Sequence, residues 1–461
     1  MSYSNYISYK NSEVDWLNIV PQHWVIDRLK WSVKFCKNGI WGSDPEGIND
    51  IACIRVADFN RTNLRINSDS LTYRSIEDND KKDRILSEGD LLLEKSGGGE
   101  KQLVGTVIQF TLPIVAVSSN FISRMPISNG FDSRFLTYLN YHLYCSHVNY
   151  RSIKQTTGIQ NLDSQQYLNE LVAFPPIEEQ QSIAKFLDYK TSQIAALIEK
   201  KEKLLKLLEE KRIALITSAV TGRLQLSPPG RGLRGGLTHG SKDNVTFKPS
   251  GIFWLGNIPE HWKVKRLRFS VLLNNDKIET DENELPYIGL ENIESWTGKK
   301  IETEYSPEGI ASIFKKDDVL FGKLRPYLAK VLLAQEKGCC TTEALVLRSK
   351  TNVLPKYLSY YLLSNMFIDV VNSSTFGSKM PRASWEFIGS LPFLLPPIEE
   401  QKCISEFLDK ELGNIIQLSE QVNKAIDKLK EYRTSLITSA VTGKIDLRNW
   451  QPPSNGSANV S

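Results

Sequence analysis

The sequence predicts an α+β protein: two globular domains of α/β type, separated by two long antiparallel coiled-coil helices and related by an internal pseudo-two-fold repeat. Three observations carry that prediction. At 461 residues the chain is longer than one hydrophobic core fills. The octet LITSAVTG stands at Leu215 to Gly222 and again at Leu436 to Gly443, and PPIEEQ stands at Pro175 to Gln180 and at Pro396 to Gln401, all at one fixed offset. After each PPIEEQ, apolar residues recur at spacings built from threes, fours and sevens, the period of a helix with one narrow apolar seam.

The first element is a block, KNSEVDWLNIVPQHWVIDRL (Lys10 to Leu29), that returns as KPSGIFWLGNIPEHWKVKRL (Lys248 to Leu267). The His-Trp pairs His23-Trp24 and His261-Trp262 sit inside it and read as structural. Short apolar runs bounded by turn residues follow, Ile51 to Val56, Asp90 to Glu94 and Leu103 to Phe110, and predict strands. Phe135 to Val148 predicts a helix. The first domain so defined spans 1–174, with a helical segment at 175–222. Two prolines followed by Glu178-Glu179 suit a helix start, and Gly222 suits its end. An unbroken helix from Glu178 to Thr221 would run about 66 Å at 1.5 Å per residue.

The seam is read as Ile183, Leu187, Ile194, Leu197, Leu204, Leu208 and Leu215, matched in the second copy by Ile404, Leu408, Ile415, Leu418, Val422, Leu429 and Leu436. Two such segments in one chain invite pairing with each other. Between the halves, Ser227 to Asn244 is rich in Gly and Pro and reads as a linker within 223–247. The second domain spans 248–395, with strands expected at Asp318 to Phe321 and Tyr327 to Leu333 and one helix over Lys356 to Val371. The second helical segment spans 396–443, and 444–461 is a tail.

The chemistry that this chain does not advertise narrows the function. The net charge of +4 suits a polyanionic partner without requiring one. No apolar run is long enough to span a bilayer and no signal-peptide pattern opens the chain, so a cytoplasmic location is expected. Six cysteines without a CxxC pair read as reduced thiols. Gly97-Gly98-Gly99 lacks phosphate-loop spacing and reads as a turn or as a close approach to a DNA phosphate. His142, Cys145 and His147 do not share a helical face and lack a fourth ligand, so no metal site is expected. The prolines after Phe174 and Leu395 lack the preceding Asn or Asp and the following ring that hold a flipped adenine. Without a nucleophile elbow, a paired-carboxylate site or a cofactor loop, the chain reads as a non-enzyme.

The opening block, PPIEEQ, FLD (Phe186 to Asp188 and Phe407 to Asp409) and LITSAVTG, all present twice in the same order, closely resemble the specificity subunits of type I restriction-modification systems. The resemblance covers about Lys10 to Gly443. It implies two target recognition domains, each reading half of a bipartite, asymmetric site in double-stranded DNA. It further implies two copies of an adenine-N6 methyltransferase subunit docked on the helices and, in the full complex, two restriction subunits. S-adenosylmethionine would belong to the methyltransferase partner and ATP with Mg to the restriction partner, with no cofactor, catalytic residue or metal in this chain and no membrane partner.

Base reading needs a few side chains on base edges, with cations on phosphates. In the first domain the candidates are Arg55, Lys95, Ser96, Lys101 and, from the polar loop Gln155 to Asn161, Gln155, Thr157, Gln160 and Asn161. In the second they are Asn292, Lys323, Arg325, Tyr327 and, from the loop Ser373 to Arg382, Ser378, Lys379 and Arg382. Each competes with the simpler reading of a solvated surface group. The alternative for the whole chain is a coiled-coil scaffold without DNA recognition, which the divergence of the two domains between matched helices disfavours.

Overall fold

The computed structural model describes residues 4–47, 50–98, 102–156, 158–224, 226, 246–280, 285–303, 309–375 and 380–453. The linker Ser227 to Asn244 therefore lies outside the described residues, as do Lys101, Thr157, Ser378 and Lys379. The chain divides into two compact units, Met1–Glu202 with Asn423–Ser461, and Lys203–Val422. Each unit holds the first part of one long helix and the last part of the other.

In the first unit a six-stranded sheet has the order Lys37–Asn38, Ile122–Met125, Leu91–Glu94, Val107–Gln109, Arg65–Ile66 and Phe59–Asn60. A three-stranded sheet places Asp50–Ile54 between Ala116–Ser118, which is parallel to it, and Thr72–Ser75. The helix Ser133–Cys145 is capped by Asp132, whose carboxylate accepts from the Phe135 amide at 2.8 Å. It ends before His147, whose φ of 58° opens a 3-10 turn over Val148–Ser152. That left-handed residue is why the helix stops short of Val148. The strand expected over Leu103 to Phe110 shrinks to Val107–Gln109 because Gly105, at φ 103°, turns the chain against Asn149.

The second unit contains two four-stranded sheets, Val271–Asn274, Ala344–Ser349, Val319–Gly322, Val331–Leu333 and Lys277–Glu279, Ile310–Phe314, Gly338–Thr341, Tyr287–Ile288. Tyr327 lies in a 3-10 turn at Pro326–Leu328, so the strand expected from it begins only at Val331. The single helix expected over Lys356 to Val371 is two, Pro355–Leu363 and Asn365–Ser373, broken at Ser364. Ser364 is extended (ψ 139°) and its hydroxyl donates to the Tyr361 carbonyl at 2.6 Å, the local competition with helix bonding that serine offers.

The divergent domains repeat each other more closely than their sequences suggest. Asp90 accepts from the Ser87 amide at 2.8 Å and pairs with Arg124 at 2.6 Å. Asp318 accepts from the Lys315 amide at 2.8 Å and pairs with Arg348 at 2.6 Å. Both acids are buried, so each ion pair fixes a turn at the start of its central strand.

Each long helix is 44 residues, Ile177–Val220 and Ile398–Val441. Their less exposed positions alternate by fours and threes, Leu187, Thr191, Ile194, Ile198, Lys201, Leu205, Leu208, Arg212, Leu215 and Ala219 in the first. The second has the matching set Leu408, Leu412, Ile415, Ser419, Val422, Ile426, Leu429, Arg433, Leu436 and Ala440. The seam therefore differs from the one expected: Leu197, Leu204 and Leu418 are 47%, 38% and 42% exposed, and Ile198 and Ile426 are buried instead. A strict alternation of 4 and 3 keeps one stripe in phase, which runs of sevens through Leu197 and Leu204 do on the wrong face.

Candidate nucleic-acid interface

The repeated motifs build the frame of each unit before any exposed group is considered. In the first unit the buried Glu179 carboxylate accepts from the Trp24 indole at 3.0 Å and meets His23 Nε2 at 2.8 Å, with the Tyr6 hydroxyl donating to it as well. In the second, Glu400 accepts from Trp262 at 3.0 Å and meets His261 at 2.8 Å. Gln180 accepts from the Asp132 amide at 2.9 Å, and Gln401 from the Leu354 amide at 2.8 Å. The Asp of FLD follows the same pattern: Asp188 binds Arg134 at 2.6 Å and Tyr138 at 2.7 Å, and Asp409 binds Lys356 at 3.0 Å and Tyr360 at 2.5 Å. PPIEEQ and FLD thus fasten each long helix to the domain that precedes it.

LITSAVTG fastens the other end. Gly443, at φ 73°, presses on Pro21 and Trp24 of the first unit, where an added Cβ would fall 2.3 Å from Pro21. Gly222, at φ 71°, presses on Pro259 and Trp262 of the second in the same way, with 2.4 Å to Pro259. Only glycine fits both the backbone angle and the space. Each opening block receives the exit motif of the other half, so the octet recurs because both units need it internally.

On this frame the described candidates gather. In the first unit the polar loop Gln155 to Asn161 is a β-hairpin, Ile153–Thr156 with Ile159–Leu162, and Ser96–Gly97 adds to it as a third strand. Ser96 Oγ donates to Asn161 Oδ1 at 2.6 Å, and Lys95 Nζ reaches Asn38 Oδ1 at 3.2 Å. Gln155 and Asn161 are exposed, as is Ile159 at the hairpin's outer face. The Lys154 ammonium binding Asp163 at 2.8 Å, with the Gln166 amide, holds that carboxyl below its usual range. Gln160 is buried, its side-chain oxygen accepting from the Val104 amide at 3.2 Å, and so braces the ribbon from beneath.

The second unit makes the same juxtaposition by a different route. Leu324 bridges to Arg382, the Arg325 amide donates to the Pro381 carbonyl at 2.8 Å, and the Ala383 amide donates to the Lys323 carbonyl at 3.0 Å. Arg325 has φ 50°, exposed, and its guanidinium has no partner among the described residues. Tyr327 and Met380 flank it, 45% and 58% exposed. Arg382 pairs with Glu343 at 3.0 Å while remaining 58% exposed. The segment following the central strand and the segment before the helix-start prolines, far apart in sequence, meet in both units.

Besides Gln160, two further candidates have partners within their own unit. Arg55 binds Asp58 through Nη2 at 2.8 Å and Nε at 3.3 Å, and that hydrogen-bonded carboxylate raises its pKa. Asn292, at the matching turn, is buried; it accepts from the Gly289 amide at 2.9 Å and donates to Thr303 at 2.7 Å. Sequence reading missed Arg61 and Glu94, a pair at 2.9 Å directly under the ribbon, because neither stands in a repeated string. Among the described residues no three His, Cys, Asp or Glu side chains are placed to hold a metal ion, and no helix is long and apolar enough to cross a membrane. His142 packs instead on the second long helix, its Nδ1 3.1 Å from Thr438 Oγ1.

The chain is similar to known proteins along most of its length. It is 25% identical over 285 residues to the type I restriction enzyme EcoDI specificity subunit of Escherichia coli, covering 61% of this chain and 63% of that one. It is 24% identical over 384 residues to the type I restriction enzyme MjaVIII specificity subunit of Methanocaldococcus jannaschii, covering 80% and 82%. The match thus spans under two-thirds of the length of the first relative and over two-thirds of the second. A solved structure described as the structural basis of complex assembly and conformational transition of the type I R-M system shares the fold, with a TM-score of 0.61 at 15% identity over 92% of this chain and 98% of that one. The sequence profile described as type I restriction modification DNA specificity domain matches residues 49–207 and 259–428. With more than two-thirds of the chain matched, once in each half, the chain belongs to the family of type I restriction-modification DNA specificity domains.

Proposed function

We propose that the chain is the non-catalytic DNA-specificity subunit of a cytoplasmic type I restriction-modification complex, each unit reading one half of a bipartite, asymmetric duplex site. The observation that carries this reading is the paired gathering of polar and cationic side chains open or half-open to solvent: half-buried Lys95 and Ser96 with exposed Gln155 and Asn161 in one unit, half-buried Lys323 with exposed Arg325, Tyr327 and Arg382 in the other. A rigid β-ribbon or a braced loop presents a few side chains at fixed spacing, which is what base-edge reading in a groove requires. The frame is repeated and these tips are not, as two readers of different half-sites need.

The long helices keep Leu197, Leu207, Leu418 and Tyr432 substantially exposed, apolar groups with which two methyltransferase subunits would pack. In this reading the methyltransferase brings S-adenosylmethionine, restriction subunits bring ATP and Mg, and this chain brings neither. The test is to map N6-methyladenine in the genome of cells that express the chain with a methyltransferase subunit. A two-part motif is expected, and Lys323→Ala or Arg325→Ala should weaken or relax one part only, about 1–3 kcal/mol for a base-reading Arg. Methylation without a sequence motif, or by the purified chain alone, would overturn the reading.

A further inference from the structure

We infer that the Arg61–Glu94 pair, tied through the turn Thr62–Leu64 to both long helices, positions the recognition ribbon of the first unit, so that the helices bias how the first half-site is read. The inference rests on the DNA-specificity reading and goes beyond it, since none of Arg61, Glu94, Arg134 and Arg433 lies among the proposed reading groups.

Glu94 ends the central strand and immediately precedes Lys95-Ser96-Gly97, so any displacement of Glu94 is a displacement of the ribbon. It is fully buried, a costly place for a carboxylate without a compensating charge. Arg61 supplies that charge, with Nη2 2.9 Å from Glu94 Oε2 and Nη1 donating to Thr106 Oγ1. The Thr106 amide also faces Oε2 at 3.4 Å, while Oε1 has no partner among the described residues. The carboxylate is therefore held through Oε2 alone, and Arg61 is the only charged group among its partners in the described residues.

Arg61 in turn belongs to a turn that arginines hold from outside. The side chain of Asn60 accepts from the Thr62 and Asn63 amides at 3.0 and 3.2 Å, which aims the next carbonyls outward. Three consecutive carbonyls then receive guanidinium groups. Thr62 O accepts from Arg433 of the second long helix, and Asn63 O and Leu64 O accept from Arg134 at 3.0 and 3.4 Å. Arg134 is bound at 2.6 Å to Asp188 of the first long helix. Arg433 is buried, lies 5.3 Å over the Tyr141 ring, and occupies a seam position of its helix. Leu64, at φ 58° and 1% exposed, locks the turn against the sheet.

A guanidinium in a helix seam where an aliphatic side chain would pack is a specificity device more than a stabilising one. Here it connects helix placement to Thr62, and the peptide from Arg61 to Thr62 connects that to Glu94. The second unit is wired differently. Gly322 stands where Glu94 does (DVLFGK against DLLLEK), and the seam arginine Arg212 binds Glu209 of its own helix at 2.6 Å.

The experiment uses the full chain co-expressed with a methyltransferase subunit, with genomic N6-methyladenine mapping as the readout. The half-site belonging to the second unit is identified by Lys323→Ala. Glu94→Gln keeps the shape and removes the charge; Arg433→Met keeps the seam apolar and removes the donor. For each, discrimination against the wrong base at one or more positions of the first half-site should fall about tenfold, with the second half-site unchanged. Arg212→Met should leave the first half-site as it is. If both variants leave the motif intact, or if both half-sites fade together, the positioning role is overturned. If the wild type yields no two-part motif, the specificity reading fails first and this inference with it.

Discussion

Glu179 shows what single residues contribute here. It is 4% exposed and accepts from Trp24 at 3.0 Å, His23 at 2.8 Å and Tyr6, whose hydroxyl burial and the neighbouring carboxylate push well above its ordinary range. Glu179→Ala leaves two buried donors without an acceptor and should lower unfolding stability by about 2–4 kcal/mol. Glu400→Ala should cost less, because Glu400 is 21% exposed and water reaches the donors it leaves. Equilibrium urea unfolding of the two variants checks the order; an equal loss would mean the clasps are equivalent. His142 supplies a pH signature. Burial, with a smaller contribution from Lys444, depresses its pKa from 6.5 to about 4. The unfolded chain therefore binds a proton that the folded one refuses, so stability falls as pH drops from about 6.5 toward 4, by roughly 3 kcal/mol in all. Replacing His142 by Gln should flatten that part of the stability profile, and an unchanged profile would show that His142 is not its source.

At the scale of elements, the long helices separate what sequence makes legible from what it does not. Their existence and ends were plain, because Pro-Pro-Ile-Glu-Glu and the closing Gly carry local signals at both termini. Their buried face was not, since Leu is apolar whether it faces a seam or water, and Leu197 and Ile198 compete for one place in the pattern. Burial resolves it: Ile198 is 8% exposed and Leu197 47%. Ile198→Ala should cost about 2–4 kcal/mol, and Leu197→Ala under about 1 kcal/mol, measured by the same unfolding transition; the reverse order would restore the other seam. The ribbon was half legible. Its polar composition marks a surface segment, yet Gln155 to Asn161 reads as a loop because the apolar face of the hairpin that contains it is short and its pairing with Ser96-Gly97 is non-local. The partners of Arg55 and Asn292 are not legible for a related reason: a polar residue that satisfies a turn looks, in sequence, like one offered to a ligand.

At the scale of the whole chain, each unit is completed by the exit motif of the other sequence half, and that gives the repeat a testable consequence. The first unit takes from the second half's helix Arg433 on Thr62, Thr438 on His142 and Gly443 against Pro21 and Trp24, followed by the buried Ile445 and Leu447. Trp450 completes the set by packing on Phe186, ring centroids 5.2 Å apart. A fragment ending near Leu226 lacks all of these, but it carries the counterparts Arg212 and Thr217 on its own helix and Gly222, Leu224 and Leu226 just past it, in the same register. Two copies can therefore supply each other reciprocally about a two-fold axis, each giving its exit motif to the partner's opening block. The match is imperfect because the fragment has no counterpart of Trp450, and the contact becomes bimolecular, so the dimer should be weaker than the linked chain and its assembly should depend on concentration. Sedimentation across a concentration series should give a monomer–dimer equilibrium. With a methyltransferase subunit present, the modified sequence should be an inverted repeat of the first half-site. A fragment that stays monomeric at every concentration, or that methylates the asymmetric site, would mean that the two exit motifs are alike in sequence but not interchangeable in place.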